Sequence, residues 1–136
     1  MALIIIADDD ELVVELVRHA LQAEGHVVGA LPDGMTVKKV VELKQPDLVI
    51  LDCSMPNRSG LDALLDIRKS PTAYRTRVLM LTARQGRTDE DLAIRAGAND
   101  YLRKPFDHDQ LVARVAALLD QAVANDRTAP DPLRRV

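Results

Sequence analysis

Short apolar runs alternate with amphipathic stretches along the whole chain. Residues 3–7 form a continuous apolar run, which predicts a strand buried on both faces. Asp10 then stands as the cap of a helix. In that helix Leu12, Val13, Leu16, Val17, Ala20 and Leu21 recur at three- and four-residue spacings, and Gly25 ends it. A shorter strand follows over 26–30, and Asp33-Gly34 turns the chain. Val37, Val40, Val41 and Lys44 predict a helix closed by Pro46. Residues 47–51 are the most apolar strand and belong at the sheet centre. A loop over 55–60 leads to a third helix, begun by Leu61, Leu64, Leu65 and Ile67 and stopped before Pro71. A fourth strand spans 77–81, a fourth helix 87–96 closed by Gly97, and a fifth strand 99–102. The last helix spans 107–124, with Leu111, Val115, Leu118 and Ala122 along one stripe.

Five strands alternating with five helices define an α/β protein with a parallel sheet and right-handed crossovers. Residues 1–124 make one domain. Residues 125–136 lose the pattern, are rich in Pro, Asp and Arg, and read as a flexible tail or the start of a linker. A chain of 136 residues with 47% hydrophobic residues can bury a real core. Tyr74, Tyr101 and Phe106 are its only aromatics, so that core is Val, Leu, Ile and Ala. A net charge of −3 gives no reason to expect a nucleic-acid surface. The single cysteine, Cys53, excludes an intrachain disulfide and a CxxC metal site, and reads as a small buried apolar residue. His19, His26 and His108 lack ligand spacing to one another and read as surface or structural residues. No apolar run approaches membrane-spanning length and no signal-like leader is present, so a cytoplasmic protein with no membrane partner is expected.

The chemistry stands where the strands stop. Asp8-Asp9-Asp10 follow the first strand and Asp52 follows the third. Thr82 follows the fourth, and Lys104-Pro105 follow the fifth. In a parallel sheet these ends share one edge, where α/β proteins place their sites. The expected result is a carboxylate cluster with one hydroxyl and one amine beside it. Crowded carboxylates repel unless a cation lies between them, and hard oxygen donors suit Mg²⁺.

Four motifs carry a family resemblance: the acidic cluster at 8–10, Leu51-Asp52-x-x-Met55-Pro56, Leu81-Thr82-Ala83, and Tyr101-Leu102-x-Lys104-Pro105-Phe106. In this order and at these spacings the chain resembles the response-regulator receiver domains of bacterial two-component signalling, over roughly residues 2–122. The resemblance implies a three-layer flavodoxin-like (βα)5 doubly wound fold with strand order 2-1-3-4-5. It implies that Asp52 accepts a phosphoryl group from the phosphohistidine of a sensor histidine kinase or phosphotransfer protein. It further implies Mg²⁺ (or Mn²⁺) held by Asp8, Asp9, Asp52 and the backbone carbonyl of Ser54. Asp9 would be the direct ligand, and Asp8 would act through water. Thr82 and Lys104 would contact the phosphoryl oxygens, and Thr82 and Tyr101 would form the switch. The Lys104-Pro105 bond is expected to be cis, as in the family. Lys104 is expected to be solvated until phosphoryl transfer.

The family signals through its fourth helix, fifth strand and fifth helix. A homodimer through that surface would pair Asp100 of one subunit with Arg114 of the other, whereas Glu90 and Gln110 supply no matching charges at a second pair of positions. Ser59 stands where the family often has an acid, a change expected to alter loop polarity only. Ser54 and Arg84 occupy positions that in the family influence phosphoryl lifetime. The resulting expectation is a phosphorylation-controlled switch with slow self-catalysed uptake and release, not a turnover enzyme. The alternatives are a non-phosphorylated protein-binding module and a small phosphoaspartyl hydrolase.

Overall fold

The computed structural model describes residues 1–83 and 87–128. The expectations attached to Arg84 and to residues 129–136 lie outside the described residues. Five strands, β1 (Leu3–Ala7), β2 (Val27–Leu31), β3 (Leu48–Asp52), β4 (Val78–Thr82) and β5 (Asp100–Arg103), alternate with five helices. These are α1 (Glu11–Ala23), α2 (Val37–Lys44), α3 (Gly60–Lys69), α4 (Arg87–Arg95) and α5 (His108–Thr128). All strand pairs are parallel, in the order β2-β1-β3-β4-β5. The flavodoxin-like doubly wound fold is therefore present, with its expected strand order.

Strand periodicity builds two cores. Ile4, Ile6, Leu48, Ile50, Leu79 and Leu81 point to one face, where they meet Val17 and Leu21 of α1 and Leu111, Val115 and Leu118 of α5. Ala7, Val49, Leu51, Val78 and Met80 point to the other, toward Val37 and Val41 of α2, Leu64 and Ile67 of α3, and Ala93 of α4. β3 and β4 are buried at every position, which is why they read as unbroken apolar runs. Truncating a fully buried residue such as Ile50 or Leu79 to Ala costs about 2–5 kcal/mol.

Four strands lie one residue further along than the sequence predicts: β2, β3, β4 and β5. The cause at the site is that the chemistry-bearing residues keep the ladder going. The Cys53 amide donates to Leu81 O at 2.9 Å, and the Lys104 amide donates to Thr82 O at 2.8 Å. Asp52 and Thr82 are thus the last residues of strands, not the first residues of loops. α5 continues to Thr128, beyond the expected 124, since Asn125 to Thr128 contains neither Pro nor Gly.

The cap of α1 was expected from the sequence, and that of α3 was not. Asp10 accepts from the Leu12 and Val13 amides at the start of α1. Ser59 caps α3 by accepting from the Asp62 amide at 3.1 Å, so it does more than change loop polarity. Caps of this kind contribute about 1 kcal/mol each.

Candidate functional site

Register brings the polar residues together. Ala7 pairs with Leu51, which puts Asp8 beside Asp52 at the carboxyl edge of the sheet. Asp52 pairs with Leu81, and Thr82 pairs with Arg103, next to Lys104. One carboxylate oxygen from each of Asp8, Asp9 and Asp52 lies within 4.8 Å of the others. Asp8 and Asp52 are buried, and Asp9 is exposed.

The three acids are differently committed. Asp8 Oδ1 accepts from the Asp10 amide at 2.9 Å, and its Oδ2 accepts from Lys104 Nζ at 2.9 Å. No side-chain partner is found for Asp9 among the described residues, so its oxygens remain available. Asp52 Oδ1 lies 3.2 Å from Lys104 Nζ. The expectation of a solvated Lys104 is therefore corrected: its ammonium bridges Asp8 and Asp52. Two adjacent buried carboxylates need a cation, and the lysine supplies it.

This arrangement shifts both partners. Burial, then the charge of Asp8, pushes the Asp52 carboxyl up to about 6, with Lys104 opposing them. For Lys104, burial lowers the affinity for the proton, but the hydrogen bond it donates to Asp8 and the charges of Asp52 and Asp8 outweigh it. The net direction for the lysine is upward, so it stays charged.

Thr82 is fully buried, and its Oγ1 lacks a hydrogen-bond partner; among the described residues it is the buried side-chain polar atom left in that state. An unsatisfied buried hydroxyl costs about 1–3 kcal/mol. Tyr101 is partly buried and packs against the α2–α3–α4 core. Ser54 is exposed, Cys53 is only partly buried, and the Lys104-Pro105 bond is cis. Beside Lys104 an open cavity of about 560 Å³ runs along Val13 and Leu16 of α1 to Pro105 and Phe106.

Asp100 and Arg114 do meet, but within one chain. Arg114 Nη1 donates to Asp100 Oδ1 at 3.1 Å and to Tyr101 O at 2.7 Å. Glu90, in α4, is buried and pairs with Arg103 at the end of β5. Sequence reasoning assigned Glu90 only to an absent dimer pair.

Sequence reasoning also passed over Gly60. A Cβ there would fall 1.9 Å from the Asp52 carbonyl oxygen. Only glycine lets the start of α3 close against the strand end that carries Asp52. A lone glycine eight residues on from an acid gives no sequence signal of that contact.

Residues 4–116 match the response regulator receiver domain family, and the chain belongs to it. Receiver domains of two-component response regulators are phosphorylation-based signalling switches and not turnover enzymes. Over 115 residues the chain is 42% identical to the response regulator protein PmrA of Pseudomonas aeruginosa, an overlap covering 85% of this chain and 51% of PmrA. It is 34% identical over 137 residues to the transcriptional regulatory protein CseB of Streptomyces avermitilis, covering 94% of this chain and 57% of CseB. The chain thus spans about half the length of the curated relatives it matches. Its fold superposes with a TM-score of 0.81 on the receiver domain of sensor histidine kinase PA1611 from Pseudomonas aeruginosa, at 26% identity, covering 88% of this chain and 98% of that one. That crystal structure holds a magnesium ion in its active site cleft. Among the described residues of this chain, no helix is long and apolar enough to cross a membrane.

Proposed function

We propose that Asp52 is the phosphoacceptor of a Mg²⁺-dependent switch. The observation that carries this reading is the constellation itself: three carboxylates within reach of one ion, a bridging lysine, and a buried hydroxyl without a partner. The carboxylate cluster and the unpaired hydroxyl are each unfavourable alone, and one phosphoryl group with its cation would satisfy both.

The acceptor chemistry follows from the residues. A carboxyl held at about 6 is mostly ionised at pH 7, so Asp52 can act as a nucleophile. Its oxygen attacks phosphorus as the P–N bond of a phosphohistidine breaks, and the imidazole leaves with the electron pair. Lys104 needs only to move from the carboxylates to a phosphoryl oxygen, and Thr82 Oγ1 donates to another. The carboxylates of Asp8, Asp9 and Asp52 with the Ser54 carbonyl would hold Mg²⁺, which when bound offsets the negative charge of donor and acceptor. Asp9 is the direct ligand in this reading, because both oxygens of Asp8 are already committed.

The partner is a phosphohistidine donor, a sensor kinase or phosphotransfer protein in the cytoplasm. The apolar groove from Leu16 to Phe106 opens beside Lys104 and offers such a donor a surface next to Asp52. Phosphorylation adds a charge of about −1.5 to −2 at one strand end. The loss of Thr82 and Lys104 to that charge alters the surface of α4, β5 and α5 through Tyr101. Incubation with acetyl phosphate and Mg²⁺, followed by intact mass, tests this function. One slowly lost phosphoryl group supports the switch. No uptake supports a non-phosphorylated binding module instead, and continuous release from varied monoesters supports a hydrolase.

A further inference from the structure

The loop that leaves Asp52 is held from a turn with no chemistry of its own. Its beginning is fixed by the Cys53 amide on Leu81 O, and its end by the Gly60 amide on Cys53 O at 3.1 Å. Its middle is held by Asp33-Gly34-Met35, between β2 and α2. Asn57 Nδ2 donates to Asp33 Oδ2 at 2.7 Å, and the Met35 amide donates to Asp33 Oδ1 at 2.8 Å. One carboxylate therefore joins both turns. The Gly34 amide adds a bond to Arg58 O at 3.1 Å, and a Cβ on Gly34 would stand 2.4 Å from that oxygen. The two backbones are in contact there, and Gly34 permits it.

The backbone at Asn57 makes the side-chain bond informative. Its φ is +68°, a region that favours glycine. Asparagine tolerates that conformation less well than glycine but supplies an amide donor. The Asp33 carboxyl is held below the usual range, first by Asn57 and then by the Met35 amide, so it stays an ionised acceptor. Arg58 completes the frame through two bonds to Asp66 of α3, at 2.7 and 2.8 Å.

We propose that Asp33 is a positioning residue for the phosphoacceptor site, acting through Asn57 to hold the 53–59 loop that carries the Ser54 carbonyl. The proposal rests on Asp52 being the phosphoacceptor and on the Ser54 carbonyl being a metal ligand. Its mechanism is entropic: a loop already held in one conformation loses less freedom when its carbonyl is recruited.

Asn57→Gly keeps the φ of the turn and removes the side-chain donor, and Asp33→Ala removes the acceptor without adding the backbone freedom of a glycine to the loop. The readouts are amide hydrogen exchange of residues 53–59 without metal, Mg²⁺ affinity, and the rate of phosphorylation by acetyl phosphate. Loss of one hydrogen bond to a charged group is expected to speed exchange in the loop and weaken Mg²⁺ by about tenfold each. Exchange at Leu79 and Met80 in β4 stays unchanged. Asp33→Ala reproduces the effect, and Asp33→Asn, which keeps an acceptor oxygen, recovers part of it. Wild-type exchange and Mg²⁺ affinity in Asn57→Gly, with a wild type that is phosphorylated, overturn the positioning role alone. A wild type that takes up neither Mg²⁺ nor a phosphoryl group overturns the phosphoacceptor reading and the positioning role with it.

Discussion

Lys104 Nζ lies 2.9 Å from Asp8 Oδ2, joining the first strand's end to the fifth. The same ammonium reaches Asp52 Oδ1 at 3.2 Å. Lys104 is thus an internal counter-ion, and under the proposed function it must leave these carboxylates to become a phosphoryl ligand. The lysine and an incoming divalent cation compete for the same charge.

Lys104→Met should therefore have two opposite effects. Without metal it leaves two buried carboxylates facing each other and destabilises the fold by about 2–4 kcal/mol. Mg²⁺ then binds more tightly than in wild type, because no ammonium must be displaced. Thermal melts with and without Mg²⁺ check both. The phosphorylation-dependent change in amide spectra should be lost. Equal metal-free stability in Lys104→Met and wild type contradicts the bridge.

The pH dependence follows from Asp52. Its carboxyl sits at about 6 in the folded protein against an ordinary 3.8. Between those values the folded state binds more protons than the unfolded chain, so stability falls as pH rises through that window. Asp52→Asn removes the penalty. It should stabilise the metal-free protein at pH 7 by about 1 kcal/mol after solvent screening. The gain should vanish toward pH 4, as denaturant titrations across pH would show. Mg²⁺ affinity of the wild type should fall as pH drops below about 6.

Gly60→Ala tests how Asp52 is seated. A methyl group 1.9 Å from the Asp52 carbonyl forces strand and helix apart. A loss of about 2 kcal/mol or more in stability is expected. Phosphoryl uptake should fall further than the stability loss explains. Urea unfolding beside the rate of acetyl phosphate labelling separates the two, and wild-type values for both contradict the contact.

Asp8, Asp52 and Thr82 were legible in the sequence because each ends an apolar run, whereas Lys104 follows the mixed run Asp100-Tyr101-Leu102-Arg103 and was read from its place after the fifth strand. Asp8, Asp52, Thr82 and Lys104 could be placed on one sheet edge from strand spacing alone. The runs of β1, β3 and β4 were clear because they are buried on both faces. Strand ends were less clear, since a polar side chain masks a backbone that still pairs. The link from Lys104 to Asp8 spans 96 residues, and no local pattern encodes it. The seat of Gly60 was hidden for a similar reason: the contact belongs to two backbones and leaves no side-chain signature. The turn at Asp33 was legible as a turn, but its hold on Asn57 was not.

The dimer test changes with the fold. Arg114 already donates to Asp100 in its own chain, so a charge swap can be repaired without a partner. Arg114→Glu should destabilise the unphosphorylated monomer by about 1 kcal/mol, and Asp100→Arg with Arg114→Glu should recover part of it. Denaturant unfolding at low protein concentration measures this. If the phosphorylated protein dimerises through α4, β5 and α5, sedimentation of the double variant should show the dimer retained. A phosphorylated wild type that stays monomeric removes the symmetric dimer.

Locating the phosphoryl group tests the central claim most directly. An acyl phosphate is reduced by borohydride to an alcohol, which turns the labelled aspartate into homoserine. After incubation with acetyl phosphate and Mg²⁺, reduction and peptide mapping should find homoserine at position 52 and none in Asp52→Asn. Conversion at Asp8 or Asp9, or equal labelling of Asp52→Asn, would contradict the account.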